Sequence, residues 1–215
     1  MVFWTNRRVP RPETPRLRPR VAPTELAKVD FAELVPEPVP FLGQAAYIQL
    51  EFFENLAKAV AKHHALIAEL RRLGVEPDDV MAPFAPATDR FRMATSGADW
   101  YELLLGIHIT AGMLDGYFSR LAEGLPVELG SRVRAILDEE GASVVLETEL
   151  KSAIEHDPDL ADRLALWGRS LVGDTLLIAR SALRASEASG DDVEPVFTEL
   201  IADHTRRMDA LGLTA

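Results

Sequence analysis

A chain of 215 residues, 47% of them hydrophobic and with mean hydropathy near zero, is long enough to bury one sizeable core and has the composition of a single globular domain. It contains no cysteine. Disulfides, thiolate metal ligands and thiol nucleophiles are therefore excluded, and His, Asp and Glu remain as the side chains for metal chemistry. The net charge of −11 is unevenly divided, with the first 20 residues at +5 and the remainder at −16.

The basic arm holds Arg7, Arg8, Arg11, Arg16, Arg18 and Arg20 against Glu13 alone. Pro10, Pro12, Pro15 and Pro19 keep it out of a helix, so it is expected to be extended or disordered. Two roles are open for it. It either contacts RNA phosphates or an acidic partner surface, or serves as a solubilising tail lying across the acidic body. The body itself repels a phosphate backbone. The connector Val35-Pro36-Glu37-Pro38-Val39-Pro40 closes this region, so residues 1–39 are read as arm and connector and residues 40–212 as the folded domain. No apolar run reaches the roughly 18 residues of a membrane span, and no secretory block stands at the N-terminus; a cytoplasmic location without membrane contact is expected.

From residue 41 onward nearly every segment has the 3.6-residue apolar period, and no strand pattern is convincing. Leu42, Ala45, Ala46, Phe52, Phe53, Leu56 and Val60 form a first stripe that continues in phase through His63, Leu66, Leu70 and Leu73 to Gly74, with Pro77 beyond. Taken literally, residues 41–73 are one helix about 50 Å long. That is too long for the helices that follow, so a lost helix hairpin or a discontinuity between Val60 and Ala61 is expected. Residues 76–84 predict a short helical turn closed by Pro83, followed by a loop to Gly97. Asp99 and Glu102 form a capping box for a helix whose core face is Trp100, Leu104, Ile107, Ala111, Leu114, Phe118 and Leu121. The next helix, residues 127–155, places Val133, Leu137, Glu140, Val144 and Glu147 on one face. Asp157-Pro158 opens another, to about residue 186, and Gly190-Asp191 opens the last, packed through Val196, Leu200, Ile201 and Met208. Short connections make neighbours antiparallel, which predicts an all-α, up-and-down bundle with additional C-terminal helices and one longer link at residues 75–98.

Polar groups on the inner stripes need partners, and function would show there. Gln49 stands on the first stripe where a metal-binding Glu would project; the plain alternative is a hydrogen-bonded core amide. His63 lies on the Leu66 stripe, with Val60 where a ligand Glu would precede it. His108 and Asp115 lie seven apart on one helix, beside its core stripe, and could meet His63 across the bundle. Glu140 and Glu147, two turns apart on an apolar face, need a metal, a His or an Arg if buried, or else reach solvent at a groove. No nucleophile triad, phosphate loop, zinc spacing or RNA-binding aromatic signature is present.

The segments Phe53-Glu54-Asn55-Leu56-Ala57, Met81-Ala82-Pro83-Phe84, Asp99-Trp100 and above all Leu164-Ala165-Leu166-Trp167-Gly168-Arg169-Ser170-Leu171-Val172-Gly173-Asp174 resemble the actinobacterial ferritin-like proteins grouped with the tRNA 2-methylthio-isopentenyladenosine hydroxylases. The resemblance covers residues 40–185. It implies a ferritin-like bundle and, in active relatives, a non-haem di-iron centre that activates dioxygen to hydroxylate a modified adenosine. Carried over residue by residue, the ligand positions fall on Gln49, on the neighbourhood of Lys62 to His64, on Ala111 with Asp115 a turn later, and on Glu139-Glu140-Gly141-Ala142, so that ligands are lost at Gln49, Ala111 and Ala142. Two readings follow. The first is a ferritin-like protein with a degenerate di-iron site and no cofactor, acting as a binding or scaffold protein and assembling as a homodimer through helix faces. The second is an oxygenase with an altered iron centre built from Glu140, Glu147, His63, His108 and Asp115.

Overall fold

A computed structural model describes residues 29–34, 37–52, 57–138, 143–181 and 190–215. Among these residues there are ten α-helices, two 3-10 turns and no strand. In chain order they are α1 (Phe31–Leu34), α2 (Pro38–Phe52), α3 (Ala57–Arg72), α4 (Pro77–Met81), α5 (Ala85–Thr95), α6 (Trp100–Leu121), α7 (Val127–Leu137), α8 (Ser143–His156), α9 (Pro158–Ser181) and α10 (Gly190–Ala210), with 3-10 turns at Ala82–Phe84 and Ala122–Gly124. This is an all-α multi-helix bundle. Helix α6 is its axis, packed against α2, α7, α8, α9 and α10, while α2 and α3 pair closely as a hairpin. Phe41, Leu42, Leu66, Leu70, Leu105, Ile109, Met113, Leu114, Phe118, Leu150 and Leu164 form its fully buried centre.

Local chemistry explains the ends of several helices. The Asp99 Oδ1 accepts the backbone N–H groups of Tyr101 and Glu102, both at 2.9 Å, and the Glu102 carboxylate accepts that of Ala98 at 2.8 Å. These three otherwise unpaired donors fix the start of α6. Asp157 caps α9 in the same way through the N–H groups of Asp159 and Leu160, with Pro158 at the first helical position. At the end of α3, Gly74 adopts φ +78°, its N–H donating to the Arg71 carbonyl and that of Val75 to Leu70. That left-handed turn is the Schellman stop the sequence foretold.

Three expectations are corrected. The single helix over residues 41–73 is two helices, and the discontinuity expected between Val60 and Ala61 is not there, because α3 runs unbroken through both. The His63 Nδ1 lies 2.8 Å from the Ala46 carbonyl oxygen. On one straight helix those residues would stand about 25 Å apart, so the chain has already reversed before Ala57. The loop expected between Pro83 and Gly97 contains α5; Pro83 and Pro86 each sit in the first turn of a helical segment, where the missing N–H costs nothing. Finally, the helix expected over residues 127–155 divides into α7, closing at Asp138, and α8. Val133 and Leu137 are buried, but Val144 beyond the break is 63% exposed, so the two halves do not share one inward face.

The inward face of α6 also differs from the expected stripe. Trp100 is 64% exposed, whereas Leu105, His108, Ile109, Met113 and Tyr117 are buried. A stripe argument assumes one covering layer, and α6 is covered from several directions at once. Tyr117 anchors this crossing by donating its hydroxyl to the Ala179 carbonyl at 2.8 Å.

Candidate functional site

Helix α2 brings Gln49, α3 brings Lys62 and α6 brings Asp115 to one point inside the bundle. The Lys62 ammonium lies 2.7 Å from Asp115 Oδ2 and donates a second bond, 2.6 Å long, to the Leu137 carbonyl at the end of α7. Asp115 Oδ1 accepts from the Gln49 amide at 2.5 Å. Both carboxylate oxygens are therefore engaged by donors from the α2–α3 hairpin. Lys62 and Gln49 are buried, and the Asp115 side chain is 21% exposed. Burial pushes the Asp115 carboxyl above its ordinary range, while the Lys62 charge and the hydrogen bonds from Lys62 and Gln49 pull the other way. An ammonium thus neutralises the carboxylate where the helices meet.

A second polar cluster lies two turns back along α6, around His108. His108 is buried, and burial, then the Arg207 charge, lower its pKa to about 4, against the opposing pull of Glu147 and Asp203. Lys151 adds a further lowering influence. At neutral pH the imidazole is uncharged. Arg207 on α10 donates to Asp203 at 2.8 Å, and its guanidinium crosses Gly112 so closely that a Cβ there would collide with it. Glu147 on α8 accepts from Lys151, which lowers its pKa, and its side chain remains 33% exposed. Two polar atoms in this interior, Gln49 Oε1 and His108 Nδ1, have no hydrogen-bond partner among the described residues.

The sequence-predicted residues are thus distributed rather than gathered. Asp115 meets Gln49 and Lys62, His108 lies within electrostatic reach of Glu147, and His63 is buried against the Ala46 carbonyl of its own hairpin. Ala111 is half-buried on α6. Glu139, Glu140 and Ala142 lie outside the described residues. Sequence reasoning missed Lys62 as a core residue, although it falls on the stripe of Leu66 and Leu70 and so carried a signal. It also missed His204, which is buried one turn from Leu200 and Met208 and lies 2.8 Å from the Gly168 carbonyl. Burial lowers its pKa, opposed by that hydrogen bond and by Asp203. The Arg207 crossing at Gly112 joins residues 95 positions apart and left no local trace.

A di-iron centre of the bundle type needs four carboxylates and two imidazoles directed at one point. No group of three or more His, Asp or Glu side chains placed to hold a metal occurs among the described residues. Lys62 also brings a positive charge to Asp115, the carboxylate next to the expected ligand position at Ala111. These side chains do not fit the group. No helix among the described residues is long and apolar enough to cross a membrane.

An all-α bundle with these polar crossings defines a helical-bundle protein with a Lys62–Asp115 ion pair set inside it. Residues 39–191 match the family described as a ferritin-like domain of actinomycetes, and the chain belongs to that family. The match defines the fold and carries no link to the tRNA hydroxylases. No curated protein matches the chain.

Proposed function

We propose that this ferritin-like bundle, with residues 1–39 as arm and connector and residues 40–212 as the helical domain, is a non-catalytic binding or scaffold protein whose di-iron site has decayed. The observation that carries this reading is the Lys62 ammonium on Asp115. A half-buried carboxylate compensated by a lysine has no need of a metal, and a metal arriving there must displace a cation already bound within the fold. Thermal unfolding with and without Fe(II), under anaerobic conditions, tests this. A true site at a hundred times its Kd adds about 2.7 kcal/mol, several degrees in Tm for a chain of this size. The expected result is an unchanged Tm, and a rise of that size contradicts the proposal.

The protein assembles as a homodimer through helix faces. Supporting this, Leu166, Ser170, Gly173 and Leu177 share one exposed face of α9, with the two leucines 65% and 69% exposed. Leu166→Glu with Leu177→Glu is expected to convert a sedimenting dimer to a monomer without loss of helical signal. A wild-type chain that sediments as a monomer contradicts it.

The competing reading, an altered iron oxygenase using Glu140, Glu147, His63, His108 and Asp115, draws its support from His108. Its imidazole is neutral, and its Nδ1 has no partner among the described residues. Dioxygen-dependent turnover by the iron-loaded protein would favour it.

A further inference from the structure

An open groove of about 750 Å³ runs between the first turns of α6, helix α8 and the start of α9. Trp100, Tyr101, Val145 and Leu160 give it an apolar wall, with Trp100 and Val145 each 64% exposed. Among the described residues, its lining carries Glu149, His156 and Asp157 and neither lysine nor arginine. Such a surface suits an aromatic segment flanked by arginines.

We propose that the occupant is this chain's own N-terminal arm, with Phe3 and Trp4 against the apolar wall and Arg7 and Arg8 beside Glu149 and Asp157. Charge complementarity is the first argument, since the arm's first 20 residues carry +5. Backbone habit is the second: the arm's four prolines favour the extended form that a groove accepts. Reach is the third. The described chain begins at Val29, and α1 packs at the opposite end of α6, where a Cβ on Gly124 would meet the Phe31 carbonyl. The 22 residues of α6 make that separation about 33 Å. The chain between Trp4 and Val29 spans roughly 80 Å when extended, more than enough.

The absence of cysteine makes a distance measurement clean. Nitroxide labels on Thr5→Cys and Thr148→Cys, the latter on an exposed position of α8 beside the groove, report the separation by pulsed EPR on the full chain. A free arm anchored at Val29 would give a broad distribution near 40 Å. The expected result is a short, narrow distance that survives dilution with unlabelled protein and broadens in the Glu149→Lys background or at 1 M salt. A broad distribution in the unmodified groove overturns the proposal. So does a short distance that disappears on dilution, which places the arm in a neighbouring copy, and one that forms only on adding tRNA, which assigns the arm to nucleic acid.

Discussion

Replacing Lys62 with methionine is expected to cost about 2–3 kcal/mol of stability, somewhat below the usual penalty for orphaning a buried charge because Asp115 is partly exposed. Methionine keeps much of the apolar stem and removes the ammonium, so the loss reports charge rather than packing. The penalty should depend on pH. The folded-state pKa of Asp115 is already raised by burial, and removing Lys62 raises it further. A raised acid contributes stability that is present at low pH and is lost as pH rises through its folded pKa. The variant should therefore be closer to wild type at pH 5 than at pH 8, as read by urea denaturation. Adding Asp115→Leu to Lys62→Met should recover most of the loss, since replacing both partners by apolar groups leaves no charge unpaired. If Lys62→Met alone is neutral at pH 8, the pair does not hold the bundle.

His108 provides the second large effect. Its pKa falls from 6.5 to about 4 on folding, so the unfolded chain binds a proton that the native chain refuses. Stability from this group is full above pH 6.5 and is lost as pH falls towards 4, by about 3 kcal/mol at 1.36 kcal/mol per pH unit. The charged groups acting on the ring are Arg207, Glu147, Asp203 and Lys151. The difference between wild type and His108→Asn isolates the histidine. That difference should shrink by about 3 kcal/mol between pH 7.5 and pH 4. A constant offset across the range would mean that His108 is protonated within the fold.

The two effects share a cause. Lys62 meets Asp115 inside the bundle, while Glu147 with Lys151 and Asp203 with Arg207 pair at its partly exposed flank beside His108. This matching needs no ligand from outside. Gly112 leaves room on α6 for the Arg207 guanidinium that lies across it.

What could be read in the sequence follows the range of the interaction. The helix starts at Asp99 and Asp157 and the stop at Gly74 were legible because each is fixed by bonds within five residues, and such bonds need only local residue types. The reversal between α2 and α3 was not legible. Phe53-Glu54-Asn55-Leu56 contains neither Gly nor Pro, and the apolar phase passes through it undisturbed, so periodicity predicted a single helix. At the site, the sequence places Gln49 on the first inner stripe and Asp115 beside the core stripe of its helix, and the two meet. Their partner was overlooked because a lysine on an amphipathic helix ordinarily carries its charge out to water, and only the α7 carbonyl and the Asp115 carboxylate together turn Lys62 inward. Arg207 and Gly112 meet through the fold alone.

The most direct measurement is the metal content of the full-length protein purified from iron-replete cells without chelators, together with its visible spectrum. An interior neutralised by Lys62 predicts iron far below one atom per chain and no charge-transfer band, in wild type and in Asp115→Asn alike. Stoichiometric iron with such a band, lost in Asp115→Asn, would contradict the account.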